Sequence, residues 1–453
     1  MSVSKLLDIS KQGLLTYQAA INVSSHNISN ATDPDYSRQR ANTATVNLDV
    51  YGKTIIGGGV KLSDIQRMRN SIADSQYRYY NQQNADANKR SEILGQIDIL
   101  FSESDDLGLG NLTNQFLNSW NALAVTPNSS SLRGEVIQSA QQLANKVQTV
   151  NDGIQSTKSE TASEATNTVS RINDLLKEIQ GLNKQIIMVD AARTNSNDLM
   201  DARDAAVDEL SSLADIKVSK DDKGSYNISI GGVFGADAYS YNEFVLEEEG
   251  GELSMQTADG FATARLNGGE MNALLESYNV TLPKYQQRVD DFVNGLVTSV
   301  NTIHATGNTL HATPLTGIDF FSGYANGRLA INQNILDDEN YIAVSADGTS
   351  GNGDIALSIY ALAQDTTILG GKTFAGYYAD LVSEIGAEQV SNSQSVDSSA
   401  LSLEQIETQR AETSGVNRDE EMIDIMAFQK AYEASAKLLS IADEMLTTLL
   451  GMV

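Results

Sequence analysis

Apolar residues recur at every seventh position near both ends of the chain. The N-terminal series is Leu7, Leu14, Ile21 and Ile28, with Val3 and Tyr17 beside it. The C-terminal series is Ile425, Tyr432, Leu439, Leu446 and Val453, with Met422, Ala436 and Leu450 offset by three or four residues. Such a repeat lays one apolar stripe along a helix, and the stripe seeks a partner helix. Stripes at both extremes predict that the two ends pair as a coiled coil, leaving the middle of the chain as a long excursion. One stripe per helix buries too little apolar surface to offset the backbone entropy of ordering it. The ends are therefore expected to be frayed in the free chain and ordered when copies stack.

Between the stripes the pattern changes several times. A loop over 30–37 carries Asp33-Pro34-Asp35, a strong helix stop. Thr43, Thr45 and Val46 lead to Lys53-Thr54-Ile55-Ile56, then Gly57-Gly58-Gly59 and Val60, which reads as a hairpin whose glycines permit close backbone approach. Helical periodicity covers 72–101 and 112–123, and a loop centred on Thr126-Pro127-Asn128 spans 121–131. A long polar helix is predicted over 132–189, with a thin apolar face of Val169, Ile172, Leu176, Ile179, Leu182 and Ile186. A break at 195–197 precedes a helix over 199–213, with Val207 and Leu210 facing inward.

Residues 216–266 alternate (Tyr226, Ile228, Ile230; Phe244, Val245, Leu246; Phe261) among many Gly and Asp, as a small β domain would. Gly268-Gly269 ends it. Leu275, Leu282, Val289, Phe292, Leu296, Val300 and Ile303 mark another long helix, and a mixed, Gly-rich stretch over 306–371 precedes the last helices. The expected fold is mainly α with β insertions. It divides into a terminal coiled coil (1–33 plus 414–453), a helical bundle with β elements (34–213 plus 267–413) and an inserted β domain (214–266).

Charge narrows the partners. Acidic residues outnumber basic ones by 59 to 31 in 453 residues, giving a formal charge of −28. A surface that acidic repels phosphate backbones, so no nucleic acid partner is expected. No segment approaches the ~20 apolar residues of a membrane span, so no membrane insertion is expected either. Asp8, Lys11 and Gln12 interrupt any apolar core of a cleavable leader. The absence of cysteine removes disulfides, thiolate-held zinc and thiol nucleophiles together. It fits a reducing cytosol, and equally a protein exported unfolded.

Candidate chemistry is sparse. His26, His304 and His311 lack the spacing of a zinc site, which makes packed or solvated histidines the expectation and His26 an interface residue. Asp105-Asp106, Glu247-Glu248-Glu249 and Asp337-Asp338-Glu339 lack the ligand order of a calcium loop. The glycine run at 57–59 has no following Lys-Ser/Thr to hold a phosphate. No catalytic residue, metal or cofactor is expected.

Two segments and an internal motif carry a resemblance. Residues 21–40, INVSSHNISNATDPDYSRQR, resemble the N-terminal signature of flagellar rod, hook and hook-associated proteins, with matches at Asn27, Asn30, Thr32, Pro34, Tyr36, Ser37, Arg38 and Gln39. Asp35 stands where that signature usually has glycine; a positive φ there would be tolerated by Asp at modest cost. Ser414-Gly415-Val416-Asn417, Asp419-Glu420-Glu421, Phe428-Gln429-Lys430-Ala431-Tyr432 and Ala434-Ser435-Ala436 resemble the terminal signature of the hook-associated protein 1 family, the hook–filament junction proteins. Asn417 can cap a helix whose acidic first turn suits the positive end of the helix dipole. Asp198-Leu199-Met200-Asp201 with Arg203-Asp204, and Gly268-Gly269, resemble central elements of the same family.

The resemblance implies a structural subunit that joins hook to filament. It would be exported by the flagellar type III apparatus, cytoplasmic before export and extracellular afterwards. Implied partners are copies of itself, the hook protein, the second junction protein and an export chaperone on the C-terminal helix. That role falls on Ile425, Tyr432, Leu439 and Leu446. The modest segment between Asn332 and Gly371 implies a reduced outermost domain. Two other readings remain: another axial protein of the flagellum (hook subunit or second junction protein), or a secreted adhesin or enzyme whose β insert binds glycan or peptide.

Overall fold

A computed structural model describes residues 3–46, 49–51, 54–102, 107–192 and 196–451, of which 49–51 and 54–56 are described by their backbone alone. Lys53, Asp105, Asp106, Asn195 and Val453, named above, lie outside the described residues.

The chain opens with α1 (Val3–Ser29) and a long antiparallel hairpin, β1 (Gln39–Thr45) with β4 (Val60–Arg67). Between its arms a short pair, β2 (Asp49–Tyr51) with β3 (Thr54–Ile56), continues the excursion. Helices α2 (Ser71–Phe101), α3 (Leu109–Val125), α4 (Ser130–Ala191) and α5 (Asn197–Leu213) follow. The expected loop around Pro127 is confined to four residues, 126–129, because Ser129 caps α4 by accepting the Leu132 N–H at 3.4 Å.

The β insert holds β5 (Ile216–Lys220), β6 (Tyr226–Ile230) and β7 (Val233–Ala236) as one antiparallel sheet, and β8 (Phe244–Glu249) with β9 (Glu252–Thr257) as another. The next helix is continuous but not uniform: α6 (Glu270–Glu276) passes through a π turn (Ser277–Thr281) into α7 (Leu282–His304). A small hairpin, β10 (Phe321–Ala325) with β11 (Arg328–Ile331), turns at Asn326-Gly327, both at positive φ. Short α8 (Gln333–Asp337) and α9 (Asp354–Ala361) lead to α10 (Phe374–Ser414) and α11 (Arg418–Leu450).

One apolar core joins α2 to α10, including the β insert through Ile228, Ile230, Phe244 and Met255. No side chain of α1 or α11 belongs to it. The molecule therefore has a body, built on this core, and a shaft, built from α1, α11 and the first hairpin.

Small sheets need partners for the polar groups at their ends. Among the described residues, five asparagines on helical segments each bond both the N–H and the C=O of a single strand residue. Asn27 holds Gln39 at 2.8 and 2.9 Å, Asn173 holds Phe244 at 2.8 Å both ways, and Asn183 holds Tyr226 at 2.9 and 3.0 Å. Asn279, in the π turn, holds Leu253 at 2.7 Å both ways, and Asn301 holds Phe321 at 2.8 and 2.9 Å. A primary amide offers a donor and an acceptor side by side, as a peptide unit does, so each asparagine stands in for a neighbouring strand.

Both terminal helices are formed and packed, where fraying was expected. That expectation counted only one stripe per helix, whereas α1 lies between α11 and the β1–β4 hairpin. Gly59, at φ +96, lets the hairpin pass so near that a Cβ there would lie 3.3 Å from Ile9 Cγ2, and Thr16 Oγ1 donates to the Val60 C=O at 3.3 Å.

Candidate assembly site

The shaft pair is antiparallel, with Gly13 of α1 opposite Ser435 of α11; a Cβ on Gly13 would fall 2.7 Å from Ser435 Oγ. Small residues form the seam: Ser10, Gly13, Thr16, Ala20 and Ser24 are buried on α1, Ser435 and Ala442 on α11. Their hydroxyls bond carbonyls of their own helices: Ser10 to Leu6 at 2.8 Å, Thr16 to Gln12 at 2.7 Å and Ser435 to Ala431 at 2.9 Å. Each hydroxyl proton is thereby used on a carbonyl of its own helix, so the backbones approach closely without an unsatisfied donor in the seam.

The seven-residue stripes flank this seam. Leu7, Leu14, Ile21, Ile28, Ile425, Leu439 and Leu446 are half-buried, and Tyr432 is exposed. Beyond them α11 carries a second stripe at alternating three- and four-residue spacing: Ala427, Ala431, Ala434, Leu438, Ile441 and Met445. Leu438, Ile441 and Met445 are 41%, 40% and 47% exposed. The outer face of α1 is polar instead, with Ser4, Asp8, Lys11, Gln18, Asn22 and Ser25 exposed and Leu15 as its apolar exception. Charge follows the same division. Lys5, Lys11, Lys430 and Lys437 balance Asp8, Glu433, Asp443 and Glu444 along α1 and the part of α11 beyond Asp424, so the excess acid lies elsewhere.

The signature residues gather at the base of the shaft. Asn27 is buried and grips Gln39, while Tyr36 donates to Asn27 Oδ1 at 2.8 Å and lies 3.0 Å from His26 Nδ1. Burial, together with Asp201 and Asp198, pushes the Tyr36 hydroxyl pKa up. Asn30 bonds the His26 carbonyl at 3.1 Å, and Pro34 is an exposed turn residue. Asp35 keeps a negative φ, so aspartate brings no left-handed strain; its N–H donates to Asp33 Oδ1 at 3.0 Å. Gly415 ends α10 in an extended conformation. Asn417 caps α11 by accepting the N–H groups of Asp419 and Glu420 at 3.0 and 3.4 Å. Arg38 meets that first turn, 2.7 Å from Glu421, 3.1 Å from Glu420 and 3.8 Å from Asp424.

Beneath this lies a charged node that periodicity did not disclose. Arg67 pairs with Asp201 at 3.1 Å and with Asp204, and Arg69 with Asp74 at 2.8 Å. Arg78 pairs with Asp208 at 2.7 Å, and Arg410 with Asp208 at 2.7 Å and Asp74 at 3.1 Å. Burial alone would raise the Asp204 pKa, but the guanidinium groups of Arg69, Arg67 and Arg78 outweigh it and hold it at about 2. Asp201 shows the opposite balance: burial raises it more than Arg67 and Ser37 lower it. A signal was present in the sequence, since Asp201, Asp204 and Asp208 repeat at three- and four-residue spacing along α5.

The remaining histidines are structural in their surroundings. His304 is fully buried and His311 sits 3.5 Å from Asp338. Among the described residues no group of three or more His, Cys, Asp or Glu could hold a metal ion, and no helix is long and apolar enough to cross a membrane.

Known proteins agree with this arrangement. The profile of the flagellar hook-associated protein FlgK helical domain matches residues 94–321, and that of the flagellar basal body rod FlgEFG protein C-terminal segment matches 407–452. Flagellar hook-associated protein 1 of Bacillus subtilis is 26% identical over 490 residues, covering 97% of this chain and 96% of that protein. The Salmonella typhimurium protein of the same name is 24% identical over 564 residues, covering 99% of this chain and all of that one. Aligned spans longer than 453 residues mean that these relatives carry additional internal segments. The flagellar hook junction protein FlgK of Burkholderia pseudomallei shares the fold, with a TM-score of 0.64 at 15% identity over 75% of this chain and 99% of that one. The C-terminal segment is shared with rod and hook proteins, whereas the internal helical match, which spans half of the chain, is specific. This protein belongs to the FlgK family of flagellar hook-associated proteins.

Proposed function

We propose that the protein is a structural subunit of the hook–filament junction whose shaft packs against neighbouring copies while the body faces outward. The observation that carries this is the second stripe of α11. Leu438, Ile441 and Met445 lie exposed along a helix whose own partner already occupies the adjacent face. The charge balance along α1 and the part of α11 beyond Asp424 also lets copies approach side by side there, where a surface as acidic as the whole chain would repel them. In this reading the terminal pair, 1–33 with 414–453, forms the shaft together with the β1–β4 hairpin that rides on α1, the rest of 34–213 with 267–413 forms the helical body, and 214–266 is an insert on the body. The hook protein and the second junction protein are its neighbours along the axis. Export through the flagellar type III apparatus, with a chaperone holding α11 at Ile425, Tyr432, Leu439 and Leu446 before assembly, is carried over to this chain from its family. The protein performs no chemistry of its own.

The test is a Leu438→Lys, Ile441→Lys double variant in cells lacking their own copy of the protein. The isolated variant should keep its helix content, because both positions face solvent, yet filaments should fail to stay attached to hooks. Filaments retained at the parent level would refute the proposal.

A further inference from the structure

The chain passes between shaft and body twice, at 68–70 after the hairpin and at 415–417 before α11. One residue ties both crossings. The Arg38 N–H donates to the Ser414 C=O at 2.8 Å, at the end of α10, and the Arg38 C=O accepts from the Met68 N–H at 2.8 Å. Its side chain then reaches α11 at Glu420 and Glu421 in the first turn and Asp424 in the second.

Its neighbours point the other way. In extended backbone successive side chains alternate, so Ser37 and Gln39 share a direction opposite to that of Arg38. Ser37 bonds Asp201 of α5 through Oγ at 2.6 Å and through its N–H at 3.3 Å. Gln39 donates to Asp198 at 3.1 Å and accepts from Asn197 at 3.1 Å. Three consecutive residues thus hold body, shaft and body again. We infer that Ser37-Arg38-Gln39 is a clasp that fixes the angle between shaft and body, with the Arg38 guanidinium as its pin on the shaft side.

The pin is placed where its loss has a direction. The Glu421 side chain is only 2% exposed and its ion pair is to Arg38. Without that guanidinium a buried carboxylate is left uncompensated, and the dipole of α11 offsets only part of the cost. Glu421 then gains by reaching water, which requires the base of α11 to move off the hairpin. That a fixed angle serves the assembled junction rests on the function proposed above; the clasp itself does not.

The cysteine-free chain allows spin labels at chosen sites. Gln18→Cys on α1 and Lys177→Cys on α4, both exposed, report the shaft–body distance by pulsed electron resonance on the full-length, dilute, single-copy protein. The parent should give one narrow distribution. Arg38→Gln should broaden it, and adding Glu421→Gln should narrow it again, because the carboxylate that drives opening is gone. If Arg38→Gln does not fold, as read by far-ultraviolet circular dichroism, Ser37→Ala removes the body side of the clasp and should broaden the distribution likewise. A parent already as broad as the single variants, a single variant as narrow as the parent, or a double variant as broad as Arg38→Gln overturns the inference. None of these readings depends on copies assembling, so the clasp and the assembly proposal fail separately.

Discussion

Shaft and body use the same kinds of residue in opposite places. In the body the large side chains go inside: Trp120, Phe116, Phe320, Phe321, Phe292 and Phe374 are at most 1% exposed and stack edge to face in two clusters. In the shaft the small ones go inside, and Leu438, Ile441, Met445 and Leu15 are left outside. A seam of Gly, Ser and Ala brings two helices close but removes little apolar area from water. The body buries its large apolar side chains within its own sequence. The shaft leaves several of its own exposed.

The sharpest way to break that contrast is to truncate one large side chain in each region. Trp120→Ala should cost the isolated protein about 3–5 kcal/mol through lost burial and the cavity left behind. Leu438→Ala should change it by no more than about 0.5 kcal/mol, as surface substitutions do. Urea titration followed by far-ultraviolet circular dichroism measures both. Comparable losses would mean that the α11 stripe is already buried in the free chain.

The asparagine docks sharpen the comparison at the edge of the body. Asn301→Asp keeps shape but loses the N–H₂ that donates to the Phe321 C=O at 2.8 Å, and sets a carboxylate against that carbonyl. A loss of about 1–3 kcal/mol is expected, the range for a buried polar group stripped of its partner. Thermal denaturation should show it, and an unshifted transition would mean that the β10–β11 hairpin is held by apolar contacts alone.

These features differ in how far the sequence discloses them. Periods of seven and of two are written in hydropathy, so the terminal helices and the β insert were legible, and of the first hairpin a β-like stretch as far as Val60. The seam was not, because Gly13, Ser10 and Ser435 carry no hydropathy signal; the stripe of Leu7, Leu14 and Ile21 located the helix face one step to the side. The asparagine docks were illegible for a different reason. An Asn that pairs with a strand is indistinguishable in one dimension from an Asn that closes a turn, and only the approach of a distant strand decides. The π turn at Ser277–Thr281 hid inside an apolar spacing that a straight helix satisfies almost as well. Of the charged node, Asp201 and Asp204 came from family resemblance, but their arginines lie far away in the chain.

Acid offers the finest test, because it acts on the body through one buried group beside a built-in reporter. His304 Nδ1 lies 2.6 Å from the Ile318 C=O, which can only accept, and Nε2 lies 2.9 Å from the Ala343 N–H, which can only donate. The ring is therefore the neutral Nδ1–H tautomer, and a proton on Nε2 would face another donor. Burial lowers its pKa to about 4, with the Ile318 bond opposing and Arg133 assisting. In the unfolded chain the group titrates near the usual ~6.5, so between these values the unfolded state binds a proton that the folded state refuses. The contribution is intact above pH ~6.5 and is lost as pH falls to 4, by on the order of 3 kcal/mol. Asp201 and Glu270, raised by burial, act in the opposite sense, so the comparison must be with His304→Gln rather than with neutral pH alone. Trp120, the chain's sole tryptophan, has its ring centroid 5.9 Å from that of His304. Urea midpoints read by its emission should fall with acid in the parent and fall less steeply in His304→Gln. Identical slopes would show that the ring takes its proton without unfolding the body, and that the core around it is looser than its burial implies.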